Sequence, residues 1–256
     1  MSQKKKSKKK LWITLISIFS FICVCVAAFF IYVSIHYEPT DNALSYMSDS
    51  TLSEVKEEDD YVTFQPKANK IAPITKDGII FYPGGKVDYR AYAPLLRDLS
   101  DIGITSVLVK MPFNLAIFHV NGAKGKQALF PEVKNWYISG HSLGGAMASS
   151  YLSNHKEDFR GLILLGSYST SDLSSDTDLR TLSLLASKDG ILNKDKYESN
   201  KKNLPSLTEK TIEGGIHSYF GDYGLQKGDG VSEISFEEQK KQLVLYISLF
   251  IFAGNL

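Results

Sequence analysis

The sequence has 256 residues, of which 43% are hydrophobic and 22% are charged, and its formal net charge is +1 at pH 7. This length accommodates one domain and an appendage. Residues 1–10 contain six lysines, more than the whole net charge, so the rest of the chain is acidic overall, which argues against nucleic acid as a partner. Both cysteines, Cys23 and Cys25, lie in the apolar N-terminal segment, so disulfides do not hold the remainder together.

The N-terminus has the pattern of a membrane anchor. Residues 11–35 contain no charged side chain, and a helix of that length crosses a hydrocarbon core of about 30 Å. The lysines of residues 1–10 favour a cytoplasmic tail before the anchor. The sequence therefore predicts a single-pass protein of the cell membrane, with a polar stalk over residues 36–50 and an extracytoplasmic domain over residues 51–256.

A cleaved signal peptide is the alternative interpretation of this segment. The apolar region of a signal peptide is about 7–15 residues long and is followed by small residues at the cleavage site. Residues 26–28, Val-Ala-Ala, provide such a site, but the apolar run continues through Val33. This continuation favours an uncleaved anchor, with the membrane as a partner.

Beyond the anchor, apolar segments with the lengths of strands alternate with segments that have the pattern of helices. Strands are expected over 51–55, 61–65, 78–82, 104–109, 135–139, 162–165, 182–186 and 208–212. Helices are expected over 88–100, 145–152, 193–202 and 235–252, with a short one before the strand at 135. This alternation predicts an α/β fold with a mostly parallel sheet flanked by helices. Ligands of such sheets bind beyond the carboxyl ends of the strands.

The segment Gly140-His141-Ser142-Leu143-Gly144 has the pattern G-x-S-x-G. A predicted strand precedes it and a predicted helix follows it, which is the context of a nucleophile elbow. Glycines suit the sharp turn because a side chain there collides with the neighbouring strand or helix. The alternative is a glycine-rich strand-to-helix turn without a chemical role.

Three segments together resemble the α/β-hydrolase superfamily: Tyr82–Asp88, Gly140–Gly145, and Gly214–His217 followed by Phe220–Gly224. The resemblance covers roughly residues 50 to 256 and is strongest to small bacterial hydrolases without a large cap, related to dienelactone-hydrolase-like enzymes. The nucleophile of those enzymes is usually cysteine, whereas this chain has serine, so their substrate is not carried over. The 14 residues of 166–179 leave little room for a lid.

A serine hydroxyl needs a base, and α/β-hydrolases order their triad serine, acid, histidine. His217 alone of the five histidines fits the last place, and it directly follows the last predicted strand. His141 is expected to point away from the site. The acid is predicted to be Asp189, which follows a strand directly, with Asp172 as the alternative.

Acyl transfer also needs hydrogen-bond donors for the oxyanion. We expect one to be the backbone N–H of Leu143, and the other to be that of Gly85, with Lys86 as the alternative. Six aromatic residues are expected either to wall an open pocket or to belong to the core: Tyr89, Phe113, Phe118, Tyr219, Phe220 and Tyr223.

These residues predict a membrane-anchored serine hydrolase, a carboxylesterase that acts through an acyl-enzyme on a small-molecule or lipid-like ester. An acyltransferase that uses a cell-envelope acceptor and an inactive envelope protein with the same fold are the alternatives. The sequence shows no metal-binding cluster and no dinucleotide fingerprint, so no cofactor is expected.

Overall fold

The computed structural model describes residues 2–68, 74–176 and 178–253, with side chains from residue 10 onward. The chain divides into two units, Met1–His36 and Tyr37–Leu256. The first unit is one helix, α1, Ser2–Ser34. Its portion Lys10–Ser34 has a mean hydropathy of 2.7 and is, within the described ranges, the one helix long and apolar enough to cross a membrane. Its side chains are largely exposed.

The second unit is built on one sheet of eight strands in the order β1-β2-β4-β3-β5-β6-β7-β8. The strands β1 and β2 form an antiparallel hairpin, β2 pairs antiparallel with β4, and all other neighbours are parallel. The strands are β1 Ser53–Glu57, β2 Tyr61–Pro66, β3 Asp77–Tyr82, β4 Thr105–Val109, β5 Asn135–His141, β6 Gly161–Leu165, β7 Arg180–Ala186 and β8 Leu207–Ile212. The predicted fold class is confirmed.

Five α-helices belong to the second unit: α2 Asp41–Ser45, α3 Ala93–Asp101, α4 Leu143–Leu152, α5 Lys194–Asn200 and α6 Phe236–Ala253. Residues of α3 and α6 share one hydrophobic cluster, and residues of α4 belong to another. Side chains of β3 alternate between the two clusters, with Ile79 in the first and Ile80 in the second. This alternation places the two clusters on opposite faces of the sheet, because successive strand residues point to opposite sides.

The helix predicted over 88–100 begins differently in the structure. The Asp88 side chain accepts a hydrogen bond from the N–H of Arg90 and caps a 3-10 turn over Tyr89–Tyr92. Helix α3 then starts at Ala93, with Pro94 in its first turn. A proline has no N–H to donate, and the first turn of a helix is where that N–H has no intrahelical acceptor.

Residues 37–50 differ from the predicted stalk, because the compact unit already begins at Tyr37. Thr40 caps α2, and its N–H donates to the carbonyl of Asp222 at 3.0 Å. Ala43 in that helix is fully buried. A segment that is polar in sequence is therefore packed on the domain by capping and long-range hydrogen bonds, and residues 35 and 36 remain between α1 and the second unit.

Candidate active site

Ser142 lies on a strained turn between β5 and α4. Its backbone has φ 50° and ψ −121°, a combination that residues with a side chain rarely adopt. The turn packs closely, since a Cβ on Gly144 would collide with the carbonyl oxygen of Tyr82. The N–H of Ser142 donates to the carbonyl of Leu165, the last residue of β6, at 3.0 Å. The strand, turn and helix thus hold the serine beyond the carboxyl end of β5.

Asp189 and His217, predicted as acid and base, are joined by a hydrogen bond. Oδ2 of Asp189 lies 2.7 Å from Nδ1 of His217, and both side chains are almost fully buried. Oδ1 of Asp189 accepts the backbone N–H groups of Ile191 and Leu192, each at 2.8 Å. With Nδ1 as the donor, Nε2 of His217 is the ring nitrogen that can accept a proton.

The alternative acid, Asp172, lies elsewhere. It is exposed, and Oδ1 accepts the hydroxyl of Ser174 at 2.6 Å and its N–H at 3.0 Å. These bonds lower the pKa of Asp172. The structure therefore brings Asp189, rather than Asp172, to the histidine.

The end of β6 lies next to both the serine turn and the acid–base pair. Leu165 accepts the N–H of Ser142, and a Cβ on the next residue, Gly166, would lie 3.0 Å from Nδ1 of His217 and 3.2 Å from Oδ2 of Asp189. Among the residues that the structure describes, the Ser142 hydroxyl makes no hydrogen bond, so its contact with Nε2 is not formed in this state. In structures without substrate such catalytic hydrogen bonds are often long, and they tighten in the complex.

The two residues predicted to donate to the oxyanion, Gly85 and Leu143, lie close together. A Cβ on Gly85 would lie 2.9 Å from Cδ2 of Leu143, so the loop after β3 contacts the start of α4. The N–H of Lys86 is already donated to the carbonyl of Asn114 at 2.7 Å. The N–H groups of Gly85 and Leu143 have no acceptor among the described residues, which favours Gly85 over Lys86 as the second donor.

His141 lies inside the site, contrary to the expectation that it points away. Its ring centroid is 4.4 Å from that of His217, and its Nδ1 is 2.8 Å from the hydroxyl oxygen of Tyr92. That oxygen also accepts the N–H of Gly84 at 2.9 Å, so its hydrogen is available to Nδ1. Burial, followed by the nearby His217, lowers the pKa of His141 well below its ordinary value. No pattern in the sequence predicts the orientation of the His141 ring or its hydrogen bond with Tyr92.

Asp229 is a second residue that the sequence interpretation missed. Oδ1 accepts the N–H groups of Gly190 and His217, and Oδ2 accepts both the N–H and the hydroxyl of Ser218. Burial raises the pKa of Asp229, but the hydrogen bonds from Ser218, Gly190 and Gly230 outweigh it and lower the pKa overall. One carboxylate thereby joins the loop of Asp189 to that of His217. The only sequence signal is an acidic residue between two glycines, Gly228 and Gly230.

A cleft of about 240 Å³ opens beside Ser142. It is lined by Ser142, Leu143, Ala146, Gly166, Ser167, Tyr168, Ile191, Leu192 and Asn193. None of the six aromatic residues named as candidates for the pocket wall or the core lines this cleft, and two of them, Phe220 and Tyr223, are buried in the core. The loop that carries Asp189 supplies the wall instead. A larger cavity of about 490 Å³ lies where β5, β6 and β7 begin, at the opposite edge of the sheet from the serine.

Comparison with known proteins agrees with this architecture. A family model described as the alpha/beta hydrolase family matches residues 78–241. No curated protein sequence matches the chain.

Several solved structures share the fold at low identity. Est1E from Butyrivibrio proteoclasticus is 13% identical, has a TM-score of 0.57, and the alignment covers 79% of this chain and 100% of that chain. A thermostable esterase from Pseudomonas putida is 17% identical, with a TM-score of 0.58 and coverage of 82% and 86%. A predicted CIB-like hydrolase from Thermoplasma acidophilum is 16% identical, with a TM-score of 0.54 and coverage of 80% and 100%. With its parallel sheet, its serine turn and the family match over most of its length, the chain belongs to the alpha/beta hydrolase family.

Proposed function

We propose that this protein is a serine carboxylesterase, anchored in the cell membrane by α1 with its catalytic domain outside. The observation that carries the proposal is the buried hydrogen bond between Asp189 and His217, next to the strained turn that presents Ser142. A nucleophile, a base and an orienting acid in this order are the parts needed for acyl transfer.

In the proposed reaction, the Ser142 hydroxyl oxygen attacks the ester carbonyl carbon while Nε2 of His217 takes its proton. Asp189 holds the ring and stabilises the imidazolium. The N–H groups of Leu143 and Gly85 donate to the oxyanion. Collapse of the tetrahedral intermediate breaks the bond to the alkoxy group, which leaves with the proton from His217. Water, deprotonated by His217, then attacks the acyl-enzyme, and the carboxylic acid leaves as His217 returns that proton to the Ser142 oxygen.

The test uses the Ser142→Ala variant of the full chain and a short p-nitrophenyl ester. We expect kcat to fall at least a thousandfold, because removing a triad nucleophile leaves only the contribution of the oxyanion donors and of binding. The fold should persist, since the hydroxyl makes no hydrogen bond within the described residues, and circular dichroism serves as the control. Turnover equal to that of the unchanged protein would refute the assignment.

Two further measurements address the alternatives. A fluorophosphonate probe labels an activated serine, so folded protein that stays unlabelled would favour an inactive envelope protein. Product analysis with added alcohol acceptors separates hydrolysis from transfer. A predominance of the transesterified product at low acceptor concentration would favour an acyltransferase.

A further inference from the structure

The chain enters the catalytic unit next to the oxyanion loop. The N–H of Tyr37, the first residue of that unit, donates to the carbonyl of Lys86 at 2.8 Å, and the N–H of Asp88 donates to the carbonyl of Tyr37 at 3.0 Å. Lys86 directly follows Gly85, the proposed oxyanion donor. Tyr37 is therefore fixed at the carboxyl edge of the sheet, where the proposed catalytic residues lie.

A second loop of the site holds Tyr37 from the other side. Its ring centroid is 5.5 Å from that of Tyr223, and its hydroxyl accepts the N–H of Lys227 at 3.2 Å. Both partners lie in the segment that follows His217 along the chain. Contacts with two loops of the site fix the entry point of the chain, so this residue cannot swing to another edge of the domain.

The tether between this entry point and the bilayer is short. The apolar span ends at Ser34, and only Ile35 and His36 separate it from Tyr37. Three residue steps of extended chain reach about 11 Å at most. Given the membrane anchoring of the proposed function, we infer that the Ser142 cleft works at the bilayer surface and that its substrate is an ester lipid embedded in that bilayer.

Exposed apolar side chains at the same edge fit a bilayer surface. Ile117, in the loop after β4, is 49% exposed, and Leu225, in the segment after His217, is 69% exposed. The first of these loops is joined to the entry point, because the carbonyl of Asn114 accepts the N–H of Lys86. Single exposed apolar residues are common on soluble proteins, but these two belong to loops that are hydrogen-bonded to Lys86 and to Tyr37, at the entry point of the chain. The cleft itself offers Ala146, Ile191 and Leu192 to an acyl chain.

The first experiment changes the distance to the bilayer. Full-length protein in phospholipid vesicles is assayed on a water-soluble p-nitrophenyl ester and on a fluorogenic acyl glycerolipid in the same bilayer. A rigid helical spacer of 20 residues between Ile35 and His36 lifts the domain by about 30 Å. We expect lipid turnover to fall at least tenfold while turnover of the soluble ester stays within twofold. A flexible Gly/Ser insertion of equal length, which lets the domain return, should keep most of the lipid activity.

The second experiment substitutes the exposed apolar residues at this edge of the sheet. The variants Ile117→Asp and Leu225→Asp should each lower turnover of the bilayer lipid at least threefold and leave the soluble ester unchanged. Ile74→Asp is the matched control, because Ile74 is 46% exposed but precedes β3 at the opposite edge of the sheet. Equal effects of the three substitutions on the lipid would count against the inference.

Different results would refute the proposed function and the lipid inference. If Ser142→Ala hydrolyses the soluble ester as well as the unchanged protein does, the proposed function itself is wrong. If the unchanged protein hydrolyses the soluble ester but leaves the bilayer lipid intact, or if the rigid spacer leaves the ratio of the two activities unaltered, only the lipid inference is overturned.

Discussion

The imidazole of His141 lies against that of His217, with the two ring centroids 4.4 Å apart. Because burial and its neighbour lower its pKa, His141 stays neutral beside a base that becomes positively charged during the proposed reaction. A neutral neighbour avoids the repulsion that a second cation would cause. The His141 ring also contacts the hydroxyl of Tyr92, and that hydroxyl accepts the N–H of Gly84. His141 and Tyr92 therefore connect the proposed base to the loop that carries the proposed oxyanion donor, Gly85.

The lowered pKa of His141 predicts a stability that depends on pH. The unfolded chain binds a proton at His141 below about pH 6.5, and the folded chain does not until a much lower pH. The contribution of His141 is therefore fully present above pH 6.5 and is lost as the pH falls, by up to about 1.4 kcal/mol per pH unit. Urea unfolding of the detergent-solubilised protein between pH 7 and pH 5 measures this slope. His141→Gln should flatten it, and an equal slope in that variant would contradict the prediction.

Tyr92→Phe should weaken catalysis by loosening the loop of Gly85. The variant leaves the N–H of Gly84 buried without its acceptor, which costs about 1–3 kcal/mol of stability. We expect kcat on the soluble ester to fall about tenfold with KM nearly unchanged, because the oxyanion donor acts in the transition state. Tyr137→Phe is the control, since this buried tyrosine donates to the carbonyl of Ile251, away from the site. A similar loss of kcat in both variants would indicate a general packing effect.

Asp189→Asn tests which acid orients the base. An amide cannot stabilise the imidazolium and favours the wrong tautomer of His217, so kcat should fall by about 10²–10⁴. Asp172 is the exposed alternative acid, so the kcat of Asp172→Asn should stay within twofold of that of the unchanged protein. Steady-state kinetics at pH 7–8 distinguish the two, and a greater loss in the Asp172 variant would reverse the assignment.

Asp229→Asn should lower both stability and activity. The amide nitrogen would face N–H or O–H donors that now meet a carboxylate, so we expect a loss of about 2–4 kcal/mol in the free energy of unfolding. The lowered pKa of Asp229 means that its contribution is present above its unfolded value near pH 4 and is lost in stronger acid. Urea unfolding at pH 7, with the exposed Asp59→Asn as the control, measures the difference. Equal midpoints for the two variants would show that this carboxylate does not hold the loops together.

Local patterns in the sequence were enough for the fold class and for the edge of the sheet at which Asp189 and His217 meet. Apolar runs that alternate with helical patterns require a covered parallel sheet, and the carboxyl ends of its strands share one edge. Asp189 and His217 each follow a strand, and the structure joins them by a hydrogen bond. The serine turn could be predicted from the sequence because its glycines and its serine are adjacent in the chain.

Only tertiary packing decided the rest. The direction of the His141 ring depends on Tyr92, 49 residues earlier in the chain, and the bridging role of Asp229 depends on two loops that meet only in the folded state. Residues 37–50 were predicted to form a stalk because their own composition is polar. In the folded structure this segment instead pairs with residues that are distant in sequence, near Val87 and Asp222. A sequence pattern reports which face or edge a residue occupies within its own element. Hydrogen bonds between distant segments depend on how the elements pack, and no local spacing encodes that.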